Sequence, residues 1–236
     1  MRIRRKPWAR PELAACPYYI EKAEICKGKW NTLYNDSKPL YMELGCGKGG
    51  FAAQCALTYP DINWIAMDIK SEMLAVARRT VEKAFEEAGR EVTNLKLISQ
   101  NIEVIGDVFD ENDAGVIDRI YINFCNPWPR KKHKKHRLTH RRQLFQYRKF
   151  LKGGGEIHFK TDDDMLFEES IPYFEEVGFR ITYITRDLHN SDYKYNLETE
   201  HEKMFTEEGK TTKFLIAVKE ELPKDYVLRL RDNDDE

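Results

Sequence analysis

From residue 38 onward the chain alternates short apolar runs with longer amphipathic stretches, and this alternation constrains the fold more than any other feature. The runs 40–44, 63–69, 95–99, 119–124, 156–160, 180–185 and 213–218 have the length and apolar content of strands. Between them, 50–59, 71–88, 139–151 and 165–177 carry a helical pattern. The clearest is 71–88, where Met73, Leu74, Ala77, Val81, Ala84 and Phe85 share one face, with Ser71 at the N-cap position and Gly89 as the stop. Strand followed by helix through most of the chain predicts an α/β fold, a mostly parallel seven-stranded sheet covered on both faces, with ligands bound beyond the carboxyl ends of the strands. Residues 1–36 give no strong strand signal and read as a basic arm with a helix over 16–27. Residues 37–220 make the sheet domain and 221–236 an acidic tail.

The strand ends are therefore where chemistry belongs. The first strand runs into Glu43-Leu44-Gly45-Cys46-Gly47-Lys48-Gly49-Gly50, a turn that brings bare backbone against a ligand and fits G-x-G-x-x-G through Gly45, Gly47 and Gly50. Nicotinamide, flavin and S-adenosylmethionine sites all use such a turn. Asp68 closes the second strand, where a carboxylate can accept from both hydroxyls of an adenosine ribose. Glu43 places a negative charge where S-adenosylmethionine presents its cationic methionine end and where a pyrophosphate would be repelled, so the turn reads as a site for the former. Gln100 and Asn101 follow the third strand and are placed to address adenine. Asn126 follows the fourth, which neighbours the first in the usual strand order, and is expected to face the sulfonium.

The fourth strand leads into Asn126-Pro127-Trp128-Pro129, whose prolines restrict the backbone on both sides of a large aromatic residue. Trp128 serves either to stack on a base or to anchor the loop in the core. Then Arg130 to Arg142 holds eight Lys/Arg and three His without an acid, although the formal net charge of the chain is only -1. Such a run is ordinary solvated surface when isolated. Here it stands at a strand end beside a ligand turn, with a second basic cluster at Arg2, Arg4, Arg5, Lys6 and Arg10, which suits the phosphates of a nucleic acid.

Composition removes other classes. With 41% apolar and 33% charged residues and no stretch approaching a membrane span, the chain reads as a soluble globular protein. Pro7, Trp8 and Pro11 follow the basic start where a secretory signal needs an apolar run, so a cytoplasmic location is expected. Five cysteines without a CxxC pair argue against both a disulfide framework and a zinc site, and no metal is expected.

Four motifs then occur in order behind an Arg4-Arg5-Lys6-Pro7-Trp8-Ala9 opening: the glycine turn, the Asn-Pro-Trp-Pro corner with its cationic run, Phe159-Lys160-Thr161-Asp162, and Thr199-Glu200-His201-Glu202. Together they resemble the bacterial tRNA (guanine-N7-)-methyltransferase family over nearly the whole chain. The resemblance implies a Rossmann-like class I methyltransferase, a three-layer α/β/α sandwich. It implies transfer of a methyl group from S-adenosylmethionine to N7 of the variable-loop guanosine of tRNA, position 46 in the tRNA's own convention. By the same resemblance Glu43, Asp68, Asn101 and Asn126, with Gly45 and Gly47 of the turn, line the S-adenosylmethionine site. Arg130, Asp162, Thr199, Glu200, His201 and Glu202 contact the guanosine, and Lys132, His133, Lys134, Lys135, His136 and Arg137 contact RNA. The chain departs from the family in having Asn126 where Asp is common, Asn101 where Asp is frequent, and Arg130 where Lys is usual. Guanine N7 carries an in-plane lone pair, so Asn126 is expected to position groups rather than act as a base. Asp162 and Glu202 are expected to accept from the N1–H and N2–H donors of guanine.

Plainer roles are also legible. Asp163 and Asp164 read as caps of the following helix, Thr199 with Glu202 as a capping box, His158 as structural, and His133, His136 and His140 as exposed members of the basic face. Two other functions compete: an exocyclic-amino methyltransferase, whose Asp/Asn-Pro-Pro-aromatic motif this corner resembles but splits with Trp128, and a noncatalytic RNA-binding protein. The oligomeric state is not written in the chain.

Overall fold

The computed structural model describes residues 6–227, so Arg2, Arg4 and Arg5 of the basic cluster and most of the acidic tail lie outside the described residues. In chain order the regular elements are α1 (Ala9–Ala14), β1 (Tyr19–Ile20), β2 (Leu40–Leu44), α2 (Gly50–Thr58), β3 (Asn63–Asp68), α3 (Ser71–Glu87), β4 (Leu95–Ser99), β5 (Ile117–Asn123), α4 (Arg141–Phe150), β6 (Leu151–Thr161), α5 (Asp164–Glu176), β7 (Phe179–Thr185), α6 (Glu200–Glu207) and β8 (Lys213–Lys219). Short 3-10 turns fill several connections, including Ala23–Cys26 and Lys131–His136.

Among the described residues the strands form one eight-stranded sheet in the order β1-β4-β3-β2-β5-β6-β8-β7. Every neighbouring pair from β1 to β6 is parallel, and β8 runs antiparallel to both β6 and β7. Two apolar clusters lie on opposite faces. One joins Phe51, Trp64, Leu74, Val81 and Phe85 under α1, α2 and α3. The other joins Trp30, Tyr147, Phe150, Phe167 and Phe174 under α4 and α5. This is the expected three-layer sandwich, and it explains why Met42, Leu44, Ile65, Ala66 and Met67 in the central strands are all buried, whereas edge strand β7 after Phe179 alternates exposed and half-buried.

Three expectations need correction. The sheet has eight strands rather than seven, because Tyr19–Ile20 pairs with β4 at the edge, a two-residue strand too short to leave a periodic signal. The helix expected over 16–27 is instead α1 at Ala9–Ala14, followed by that strand and the 3-10 turn; Cys16, Tyr18 and Ala23 are buried, but not on one helical stripe. Ser71 is the first helical residue and does not cap α3; Lys70 occupies the N-cap position, and its amide donates to Asp68.

The chain walks outward from β2 to β3 to β4, then crosses back to place β5 on the other side of β2. The carboxyl ends of β2 and β5 therefore flank a topological switch, the crevice where such sheets bind ligands.

Candidate active site

The turn after β2 can be made only by glycine at its tightest point. Gly49 has φ +75°, and a Cβ there would lie 2.7 Å from Ala77 Cβ on α3. The Gly45 and Cys46 amides donate to the Met67 carbonyl at 2.9 and 2.8 Å, fastening the turn to β3. Asp68, at the end of β3, completes the frame: its Oδ2 accepts from Gly47 N at 3.1 Å and its Oδ1 from Lys70 N at 2.9 Å. Burial raises the Asp68 carboxyl above its ordinary range, against the pull of those two amides.

Between this turn and the start of α6 lies a cavity of about 640 Å³, walled by Glu43, Gly47, Met73, Asn123, Phe124 and His201 among others. Glu43 is only 3% exposed. Its Oε1 accepts from Asn123 Nδ2 at 3.2 Å, while its Oε2 is buried with no hydrogen-bond partner. Burial pushes its carboxyl up to about 7, with the Asn123 bond and Lys160 pulling down and Asp68 pushing further up. A buried carboxylate with one oxygen unused is costly unless a cation meets it, and that fits the ammonium end of an amino-acid ligand. Asn123 Oδ1 is also buried without a partner. Among the described residues no cluster of three or more His, Cys, Asp or Glu is placed to hold a metal ion.

The strand end beside β2 presents Asn123 to this cavity, not Asn126. Asn126 is exposed, and its Oδ1 accepts from Trp128 N at 3.2 Å, closing a turn in which Trp128 holds φ +43°. Trp128 is half-buried beside the His133 and His136 rings, at 5.6 and 5.3 Å. The cationic run divides. Arg130, Lys132 and Lys135 are exposed. Lys134 is paired with Glu169 at 2.7 Å, and His136 lies 2.9 Å from Glu103. Arg137 faces inward at 1% exposure, donating from Nε to the Pro127 carbonyl at 2.7 Å, from Nη2 to the Trp128 carbonyl at 3.3 Å and from Nη1 to Glu169. It pins the corner from within. His140 is likewise not an exposed member of the basic face: it is 1% exposed, caps α4 by accepting from Arg142 N at 3.2 Å, and packs beside Tyr173.

The remaining motifs also separate. Asn101 is exposed, and its Oδ1 caps the 3-10 turn after β4. Asp162 is half-buried, and its carbonyl accepts from Lys213 Nζ at 3.0 Å; Asp163 caps α5 through Leu166 N at 2.7 Å. Glu200 and His201 are exposed at the cavity rim, and Lys48 lies 3.5 Å from Glu200. Thr199 and Glu202 make the full capping box of α6. Glu202 is fully buried, with Lys160 Nζ at 2.9 Å and Asn196 Nδ2 at 2.6 Å on its two oxygens. His158 is buried between the Tyr121 and Phe214 rings, and its imidazole is held down to about 4 by burial, which fits a structural role.

A family model described as "Putative methyltransferase" matches residues 37–215. The tRNA (guanine-N(7)-)-methyltransferase of Clostridium beijerinckii is 59% identical over 220 residues, covering 93% of this chain and all of that protein. That of Acetivibrio thermocellus is 52% identical over 219 residues, covering 93% and 100%. The chain belongs to the tRNA (guanine-N(7)-)-methyltransferase family. Solved structures carry the fold further. A 16S rRNA (adenine(1408)-N(1))-methyltransferase mutant from Catenulisporales acidiphilia superposes with a TM-score of 0.53 at 14% identity, covering 91% of this chain and 92% of that one. An antibiotic-related methyltransferase reaches 0.56 at 15% identity, covering 80% and 90%.

In this family member the sequence reading missed Asn123 and Lys160. Asn123 was legible as the last residue of a buried strand at the switch point, a position that outranks Asn126, three residues farther out along the loop. Lys160 had a signal as well: a lysine directly after Phe159 near the end of a strand predicted to lie inside the sheet must find a partner.

Proposed function

We propose that this chain transfers a methyl group from S-adenosylmethionine to N7 of a guanosine in tRNA, the variable-loop residue at position 46, forming 7-methylguanosine in the cytoplasm. The observation that carries this reading is the pairing of Glu43, a buried carboxylate with one oxygen unused in a glycine-turn cavity, with an exposed cationic segment on the adjoining strand end. Glu43 and Asn123 would hold the amino-acid end of the cofactor, and Asp68 the ribose, leaving Asn101 near the base. When bound, the cofactor supplies an electrophilic methyl on a sulfonium. Guanine N7 attacks with a lone pair it already has, so no residue needs to remove a proton first.

The chain's own work is alignment, exclusion of water, and stabilisation of a purine ring that becomes positive. Thr199, Glu200 and His201, which wall the cavity, would grip the guanosine together with Asp162 and Arg130. Asn126 holds the shape of the corner through its bond to Trp128. Asp162→Asn is expected to lower kcat/KM for tRNA by roughly tenfold or more, the worth of a charge-assisted hydrogen bond, with unchanged cofactor affinity. Unaltered turnover and guanosine selectivity would remove Asp162 from the site.

The outward lysines supply the phosphate contacts. Lys132→Ala and Lys135→Ala are each expected to reduce the slope of log affinity against log salt by about 0.7 to 0.9, as one lost phosphate contact requires. Lys134→Ala should change it less, because its ammonium already meets Glu169. Fluorescence anisotropy of labelled tRNA across a salt series measures all three. Equal slopes for Lys132→Ala, Lys135→Ala and wild type would place RNA elsewhere on the surface.

A further inference from the structure

Lys160 is 4% exposed and takes no part in the chemistry above. Its Nζ donates to Glu202 Oε2 at 2.9 Å, to the Leu197 carbonyl at 3.0 Å and to Asn196 Oδ1. Asn196 returns an N–H to Glu202 Oε1 at 2.6 Å, and His189 Nε2 lies 3.2 Å from the same oxygen. Glu202 in turn holds the first turn of α6: its Oε2 accepts from Thr199 N at 3.3 Å, and its amide donates to Thr199 Oγ1 at 3.0 Å. Burial pulls the Lys160 ammonium down and the Glu202 carboxylate is the main influence opposing it.

The same lysine is tied to the cofactor side. It is the register partner of Asn123, the residue that donates to Glu43. Its carbonyl accepts from Phe124 N at 2.9 Å, and the Phe124 ring stacks on His201 at 6.0 Å. Its ammonium stands 5.9 Å from the Phe51 ring, which walls the cofactor cavity and also a second cavity of about 440 Å³ behind it. One residue near the end of β6 thus fixes the end of β5 through its backbone and the start of α6 through its side chain.

We propose that Lys160 and Glu202 form a buried positioning pair that seats the Thr199–His201 turn against the cofactor cavity, so that Glu202 anchors the turn and does not touch the base. This rests on the guanosine reading of that turn. A buried ion pair behaves distinctively: removing one partner strands the other charge, whereas removing both leaves nothing uncompensated.

The test is a double-mutant cycle with Lys160→Met, Glu202→Gln and the two together. Each single variant is expected to lose roughly tenfold or more in kcat/KM for tRNA, chiefly through KM, while S-adenosylmethionine affinity measured by calorimetry shifts less than about threefold. The double variant is expected to lose less than the worse single. A Glu202 that touches guanine predicts the reverse, with losses that add, and that result would overturn the proposal. Hydrogen exchange over residues 196–206 gives a readout independent of tRNA: protection falls in Lys160→Met if the pair seats the turn, and an unchanged pattern contradicts it. Should Lys160→Met fail to fold, Asn196→Ala removes one acceptor from the same ammonium and is expected to raise KM by a smaller factor with the same loss of protection; unchanged KM and protection there would overturn the pair. Wild-type protein that makes no 7-methylguanosine defeats the guanosine reading alone, since the exchange result still decides the pair.

Discussion

Glu43→Gln is expected to lower affinity for S-adenosylmethionine by roughly 10- to 100-fold at pH 8, the worth of a hydrogen bond to a charged group, while making the free protein more stable. Both effects come from one feature, a carboxylate pushed up to about 7 by burial from a starting value of 4.5. The folded state holds that proton more tightly than the unfolded chain. Burying Glu43 therefore costs nothing below pH 4.5, costs progressively more between 4.5 and 7, and carries its full penalty above, on the order of 3 kcal/mol. A cationic ligand offsets that penalty only when Glu43 is ionised. Cofactor affinity of the wild type should therefore rise from pH 6 to pH 8, and that of Glu43→Gln should stay flat across the same range. Calorimetry gives the affinities, and urea unfolding at pH 8 gives the stability difference. A variant that binds like the wild type and shows no pH contrast would detach Glu43 from the ligand.

The second large effect is expected at Arg137. Its guanidinium is buried and spans the Pro127 and Trp128 carbonyls and Glu169, and it closes a loop in which Trp128 is held at φ +43°. Left-handed backbone at a non-glycine residue costs about 1–2 kcal/mol, so the corner keeps its shape only while such contacts over-determine it. Arg137→Met is expected to destabilise the fold by about 3 kcal/mol, since it leaves two partly buried carbonyls without donors and a carboxylate with fewer. It should also raise KM for tRNA, because the outward lysines ride on this corner. Lys132→Ala, by contrast, should leave stability within about 0.5 kcal/mol of the wild type. If Arg137→Met unfolds at the wild-type urea midpoint and only weakens RNA binding, Arg137 contacts RNA after all.

Arg137 also shows where sequence reasoning stopped. The block from Arg130 to Arg142 was legible as cationic, but a run of like residues does not say which members point inward. The fold settles this with acceptors distant in the chain: Glu169 on α5 takes both Lys134 and Arg137. The burial of Glu202 was hidden for the same reason. Its partner Lys160 is 42 residues away, and without that contact a capping glutamate at a motif reads as a substrate ligand. The strands, the glycine turn and Asp68 were legible because they rest on local rules: period, bare backbone at positive φ, and a carboxylate at a strand end. The two-residue edge strand was not, since it exists only through its pairing with β4.

Incubation of the protein with unmodified tRNA and S-adenosylmethionine, followed by digestion and nucleoside mass spectrometry, is expected to yield 7-methylguanosine from the variable loop. Methyl groups found instead on an exocyclic amino group of guanine, adenine or cytosine, or tRNA bound without any methyl transferred, would contradict the account.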